Sequence, residues 1–346
     1  MLEFVYEYGL FFAKTVTWVI AIVVVVGSIT SLARQMRESH GGDRLEIRHL
    51  NRRFEDMGDA LNDELLDDAQ RKQIEKDRKA RDKADAKAAK KGQRSPRTRV
   101  FVLKFEGDLA ASAVDELREE ITALLQVAKP EDEVLLRLQS EGGMVHSYGL
   151  AASQLVRIRD HGLRLTIAVD MVAASGGYMM ACVAHRIIAA PFAILGSIGV
   201  VAQLPNFNRL LKKHEVDFEL HTAGDHKRTL TLFGENTEAA REKFRQELED
   251  THLLFKRFVS DYRPQLKMDK VATGEHWFGR QALELKLVDD LRTSDDFLLE
   301  RSKDADLYTV EFKPRRSLPE RLAHNWARMR SQLRPSMEGG SWMHRR

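Results

Sequence analysis

Two short turns carry residues whose types and spacing could do chemistry: Ser140-Glu141-Gly142-Gly143 and Ala174-Ser175-Gly176-Gly177. Each closes an apolar run and precedes a helical pattern, and strand-to-helix turns are where open α/β sheets hold ligands. Glycines there admit backbone conformations closed to other residues and let amide N–H groups come close to a substrate oxygen. Such amides can form an oxyanion hole. Ser175 falls at the start of the following helix, where its hydroxyl would stand beside unpaired N–H groups and the positive end of the helix dipole. That setting suits a nucleophile attacking a carbonyl, and it equally suits a serine that only caps the helix. Neither turn has the Walker spacing or the dinucleotide fingerprint, so neither reads as a phosphate cradle.

A serine nucleophile needs a base, and the downstream candidates are His185, His214, His221, His226 and Lys227. Spacing does not choose among them. Lys227 lies in HTAGDHKRTLTLFGEN beside His226 and Arg228, whose positive charge favours a neutral amine. A loop lysine is ordinarily solvated surface. For any lysine to serve as base near neutral pH, burial and like charge must supply about 4 kcal/mol, equivalent to roughly three pH units.

The elements that must position these turns begin at Val100. Strand-like runs at 100–108, 133–140, 163–170, 186–190 and 218–223 alternate with helical patterns near 112–127, 145–160, 176–184, 206–213 and 237–262. That alternation is the pattern of βαβ units and a largely parallel sheet, an α/β fold. Residues 187–204 are uncharged, but Pro191, Gly196 and Gly199 interrupt them. They read as a buried strand and loop of the core and not as a membrane span.

The remaining sequence bounds the setting. The chain has 346 residues, 43% of them apolar, which is ample for a core, and a net charge of only +3. The single cysteine, Cys182, excludes an intramolecular disulfide framework and a cysteine-based zinc site, and it reads as a structural thiol in an apolar helix. The histidines lack ligand spacing and there is no HExxH pattern, so neither metal nor cofactor is expected. Residues 10–32 hold one charge, Lys14, and read as an uncleaved membrane-spanning helix, with Glu3 and Glu7 before it and no small-residue cleavage site after it. Arg34, Arg37, Arg44 and Arg48 follow the span, which by the positive-inside rule puts the body in the cytoplasm. Residues 51–70 are acidic and 71–99 strongly basic; the basic half has no aromatics to stack bases, so a charged linker is favoured over a nucleic-acid site. From Ser317 the tail begins SLPE and then places Leu322, Trp326, Met329 and Leu333 at helical intervals among arginines. That basic amphipathic helix suits a neighbouring subunit or an anionic membrane surface.

The blocks VDMVAASGGYMMACVAHRI, FAILGSIGVVAQLPNFN and HTAGDHKRTLTLFGEN, with GGMVHSYGLAASQL and TGEHWFGRQALELKLVDDL, resemble the SohB branch of the signal peptide peptidase A family, peptidase family S49. The resemblance runs from about Val100 to Arg292. It implies a crotonase-like (ClpP-like) αβ spiral domain with an N-terminal transmembrane helix, and an ATP-independent serine endopeptidase with a Ser/Lys dyad. Ser175 is then the nucleophile and Lys227 the general base, with the N–H groups of Gly143 and Gly176 holding the oxyanion. Ser197 either orients the lysine nitrogen or is a serine bonded to backbone. The expected organisation is an anchor at 1–35, a charged linker at 36–99, the peptidase domain at 100–300 and a basic tail at 301–346. The resemblance further implies a homo-oligomer whose neighbouring subunits shape the active site. It also implies residence in the bacterial inner membrane, here with the site facing the periplasm, and substrates such as remnant signal peptides or misfolded envelope proteins. Glu141 stands where the family usually has proline, which removes rigidity from that turn. Lys286 stands where it usually has glycine, which bears on a helix end and not on the chemistry. Two readings from other classes are a catalytically idle membrane scaffold and a crotonase-type acyl-CoA enzyme.

Overall fold

The fold is that of a computed structural model, which describes Trp18 and residues 44–90, 97–224 and 227–314. The membrane span expected at 10–32, Trp18 apart, and the amphipathic tail expected from Ser317 lie outside the described residues. Among those described, no helix is long and apolar enough to cross a membrane. The chain divides into two compact units, Glu46–Glu311 and a second formed by Met1–Leu45 with Phe312–Arg346. Both glycine turns belong to the unit Glu46–Glu311.

Strand β1 (Arg44–His49) leads into helices α1 (Leu50–Leu65) and α2 (Asp68–Lys90), the acidic and basic halves of the charged segment. The two helices are joined by Arg78, which pairs with Glu55 at 2.9 Å and with Asp59. Buried Asn51 ties α1 to the body: its amide donates to the carbonyls of Ser302 and Ala305 and accepts the Leu307 N–H.

The body is built on β2 (Thr98–Glu106), β3 (Glu133–Gln139), β4 (Arg164–Val169), β5 (Val172–Ala174), β6 (Arg186–Ala189), β7 (Ile194–Gly196), β8 (His276–Phe278), β9 (Asp290–Leu291) and β10 (Ala305–Lys313). The large sheet runs β1-β10-β2-β3-β4-β6-β9, and every ladder from β10 to β9 is parallel. Parallel strands are covered on both faces and therefore read as near-continuous apolar runs. Alternate residues here feed two cores. Phe101, Leu103, Phe105, Val134, Leu136 and Leu138 face one, and Val100, Val102, Leu135, Ala168 and Ile188 face the other beside Phe297 and Leu298. The first core is roofed by α3 (Val114–Leu125), α4 (Val145–Asp160), α5 (Gly176–Ala181) and part of α7 (Glu238–Tyr262); the second is closed by α10 (Ser294–Arg301). Short helices α6 (Asn208–Lys213), α8 (Met268–Val271) and α9 (Gly279–Glu284) complete the order.

A second, three-stranded sheet, β5-β7-β8, is parallel in its first pair and antiparallel in its second. The uncharged stretch 187–204 is thus divided between the two sheets; Ile187, Ile188, Ala189, Ala193, Leu195 and Ile198 are buried, whereas Phe192 and Val201 are each 81% exposed. The strand expected at 218–223 does not form. Those residues lie exposed in an arm with no strand beside them, so their β-favouring side chains have no sheet surface to pack on. Lys286 has φ 64 just past the end of α9, the left-handed position that glycine usually takes at a helix end.

Candidate active site

The nucleophile turn is held by the small sheet. Ala174 closes β5 in register with Gly196 of β7, and the Ser175 N–H donates to the Gly196 carbonyl at 2.8 Å. Helix α5 starts at the next residue. Ser175 has φ 51 and ψ −118, a conformation that costs a non-glycine residue about 1–3 kcal/mol and persists only where its surroundings enforce it. It occupies the N-cap position, yet its side chain makes no capping bond, so the helix-cap reading does not describe it. Among the described residues the hydroxyl has no hydrogen-bond partner, and Ser175 lines a cleft.

The other turn is laid against it. Ser140 follows β3 and bridges to β5: its N–H donates to Val172 O at 2.9 Å and its carbonyl accepts the Ala174 N–H at 3.0 Å. Gly142, at φ 95, passes so close to the nucleophile turn that a Cβ there would stand 2.7 Å from Gly176 N and 2.8 Å from Ser175 Cβ. The N–H groups of Gly143 and Gly176 donate to nothing among the described residues. Both glycines line one small cleft with Ser175, walled by Met179, Val200, Thr251 and Phe255. A free hydroxyl with two free amides beside an apolar recess is what acyl transfer requires of a site.

Buried polar groups brace α5 from behind. The Tyr178 hydroxyl donates to Leu287 O at 2.9 Å, and burial pushes that phenol far above its ordinary range. Arg263, only 3% exposed, grips Asp289 with two bonds of 2.8 Å, and Asp289 also accepts the Ile187 N–H. Losing Asp289, itself 32% exposed, would leave the buried Arg263 charge without its carboxylate, at a cost of about 3–5 kcal/mol. The Cys182 thiol donates to Met179 O at 3.2 Å, and burial raises it well above the usual thiol range, in keeping with a structural role.

The structure thus brings Gly143, Ser175 and Gly176 together. Ser197, at φ 52 and half-buried, is one residue beyond the carbonyl that holds Ser175. Its N–H donates to Glu275 O at 2.6 Å and its carbonyl accepts the Gly199 N–H at 2.9 Å, but it does not line the cleft. Lys227 lies exposed in the arm and does not line the cleft either; its N–H donates to Gly224 O at 3.2 Å. Among the histidines, His185 accepts the Leu165 N–H at the N-terminal end of β4, the opposite end of the sheet from Ser140. His214 and His221 are exposed on the arm, and His226 lies outside the described residues. Sequence reasoning missed Met179, Thr251 and Phe255, which line the cleft, and Tyr148, which packs against Gly176. Only the fold shows which residues of these helices face the cleft.

Residues 3–155 match the model of the peptidase family S49 N-terminal region, and residues 157–308 match that of peptidase family S49. The chain belongs to peptidase family S49. A probable protease SohB of Haemophilus influenzae is 52% identical over 325 residues, covering 90% of each chain. Another, from Buchnera aphidicola subsp. Schlechtendalia chinensis, is 50% identical, covering 87% of this chain and all of its own. Protease 4 of H. influenzae is 27% identical over 201 residues, covering 56% of this chain and 32% of its own. Among solved structures, a membrane-bound stomatin-specific protease bound to a substrate peptide is 14% identical with a TM-score of 0.43, covering 67% of this chain and 99% of that one. The S49 matches take in both glycine turns, Ser140–Gly143 in the first and Ser175–Gly177 in the second.

Proposed function

We propose that this S49 chain is a membrane-anchored, ATP-independent serine endopeptidase with an αβ spiral body of the ClpP type, and that Ser175 and Lys227 are its catalytic dyad. The observation that carries the reading is Ser175 itself. It is held at φ 51, makes no capping bond, and opens onto a cleft shared with the free amides of Gly143 and Gly176. In the reaction, neutral Lys227 takes the proton of Ser175 Oγ as the oxygen attacks the substrate carbonyl. The Gly143 and Gly176 N–H groups hold the oxyanion, each worth about 3 kcal/mol in the transition state. Lys227 then gives its proton to the leaving amine, and water, deprotonated by the same lysine, hydrolyses the ester on Ser175.

Lys227 is exposed in the single chain, and the arm around it presents Val201, Leu204, Phe207, Leu210, Phe218 and Leu220 to solvent. Assembly of a homo-oligomer would cover that apolar surface and bury the lysine, which a neutral amine requires. Ser197 would then orient the lysine nitrogen. The narrow apolar recess of Met179, Val200 and Phe255 suits a small apolar side chain before the cut bond. With residues 10–32 in the bacterial inner membrane, substrates are membrane-associated peptides such as remnant signal peptides or misfolded envelope proteins.

The test is cleavage of unfolded casein and fluorogenic peptides by the detergent-solubilised full chain without ATP. Activity should survive His226→Ala and vanish in Ser175→Ala and Lys227→Ala. A folded, assembled wild type that cuts nothing would leave the idle-scaffold reading in its place. An active Lys227→Ala would require another base.

A further inference from the structure

Beneath the turn that carries Gly143 runs a chain of hydrogen bonds that neither the dyad nor the oxyanion assignment uses. Gly142 N–H donates to Ser140 Oγ at 3.0 Å, Ser140 Oγ lies 2.5 Å from Tyr148 Oη, and Tyr148 Oη donates to the Asp108 carbonyl at 2.7 Å. The direction of every proton is fixed by chemistry. A phenol has one proton, and here a carbonyl that can only accept takes it. The Ser140 hydroxyl must therefore donate to Tyr148 and is left to accept from Gly142. The series reads Gly142 N–H to Ser140 O–H to Tyr148 O–H to Asp108 C=O, without an alternative orientation.

Both hydroxyls are buried, Tyr148 at 0% and Ser140 at 2% exposure, and burial raises the phenol above its ordinary range, so it stays a donor across the working pH range. The site is shaped around them. A Cβ at Gly107 would stand 2.4 Å from Tyr148 Oη and 2.5 Å from Ser140 Oγ, so only glycine leaves room for the pair. The Tyr148 side chain packs closely against Gly176, where a Cβ would fall 2.4 Å from Tyr148 Cγ. One side chain thus fixes the Gly142–Gly143 turn through its hydroxyl and supports Gly176 through its ring.

We infer that Tyr148 and Ser140 are positioning residues of the oxyanion site, setting the distance between the Gly143 and Gly176 amides through this directed hydrogen-bond series. The series supplies the rigidity that a proline would otherwise give at Glu141, which is itself exposed. The inference rests on the peptidase reading of the cleft. Oxyanion donors act only within about 2.7–3.1 Å of the developing charge, so loosening the turn lowers the rate of chemistry and leaves substrate binding alone.

The experiment compares Tyr148→Phe, Ser140→Ala and the double variant with wild type in the full detergent-solubilised chain. It measures kcat and KM on a fluorogenic peptide, per active site titrated with a fluorophosphonate. It also measures inhibition by a peptide aldehyde, whose carbonyl carbon bonds Ser175 Oγ to give a tetrahedral hemiacetal. Each single variant should lose about tenfold or more in kcat with KM within about twofold, and aldehyde affinity should fall by the same factor, because only tetrahedral species use the two amides. The double variant should be no worse than the poorer single one, since either change breaks the same series. Wild-type kcat per titrated site and unchanged aldehyde affinity in both single variants would overturn the inference, whatever their melting temperatures. A wild type that neither cleaves nor labels would overturn the peptidase reading first and this inference with it.

Discussion

Replacing Gly142 by alanine tests how closely the two turns are joined. The backbone there has φ 95, where a side chain costs about 1–3 kcal/mol. An ideal Cβ would lie 2.7 Å from Gly176 N and 2.8 Å from both Ala174 O and Ser175 Cβ. Ordinary carbon contacts begin near 3.5 Å, so the turns must part by about 0.7 Å. Two of those three neighbours are backbone atoms, which cannot swing aside like the end of a flexible side chain. A shift of that size exceeds the window in which an oxyanion donor works, and losing one donor costs about 10²–10³ in kcat. Gly142→Ala should therefore lower kcat about a hundredfold, and its strain should lower Tm by about 3–10 °C for a body of this size. Gly149→Ala is the control. Gly149 sits within α4, a Cβ there meets nothing within 4 Å, and alanine gains about 0.5–1 kcal/mol of helix preference. Peptide cleavage and thermal unfolding of both variants decide the matter. Wild-type kcat and Tm in Gly142→Ala would refute the close apposition of the turns and the reasoning built on it.

Other outcomes are equally specific. Lys286→Gly removes a side chain from φ 64 and should raise Tm by about 2 °C, corresponding to about 0.5–1 kcal/mol, with kcat unchanged in the same assay. His185 is held below its ordinary imidazole value by burial, then by Arg159 and Arg164, although part of its surface is exposed, and its Nδ1 must be unprotonated to accept the Leu165 N–H. Its contribution is fully present above the unfolded value near 6.5 and is lost as pH falls through that value toward the lower folded one. Denaturant melts at pH 7.5 and 5.5 should therefore differ more for wild type than for His185→Gln. Cys182, buried and with its thiol held protonated, should react with a maleimide at the rate of local opening, slowly in native buffer and at once in urea, as followed by mass spectrometry.

The strands that build the large sheet were legible because parallel strands buried on both faces leave near-continuous apolar runs, as at Val100–Leu103 and Val134–Leu136. The two chemical turns were legible because glycine and serine at strand ends have few other reasons to cluster. The strands β5, β7 and β8 were not. At three residues each they are too short to show a period, and they exist only because Ala173 pairs with Leu195 and Leu195 with Trp277 across long sequence separations. The run 218–223 misled for the complementary reason: β preference describes packing on a sheet, and no strand lies beside it. Whether Ser175 caps a helix or stands free was undecidable from its neighbours, since both readings want serine before Gly176. The tertiary structure decided it: beside the pairing of Ala174 with Gly196, Ser175 stands at φ 51 and its side chain makes no bond to the helix it begins. Sequence alone therefore determined which residues were available for chemistry. The tertiary structure decided which amides face the serine, because that depends on how closely two backbones approach, and Gly107, Gly142 and Gly176 each set that distance by lacking a side chain.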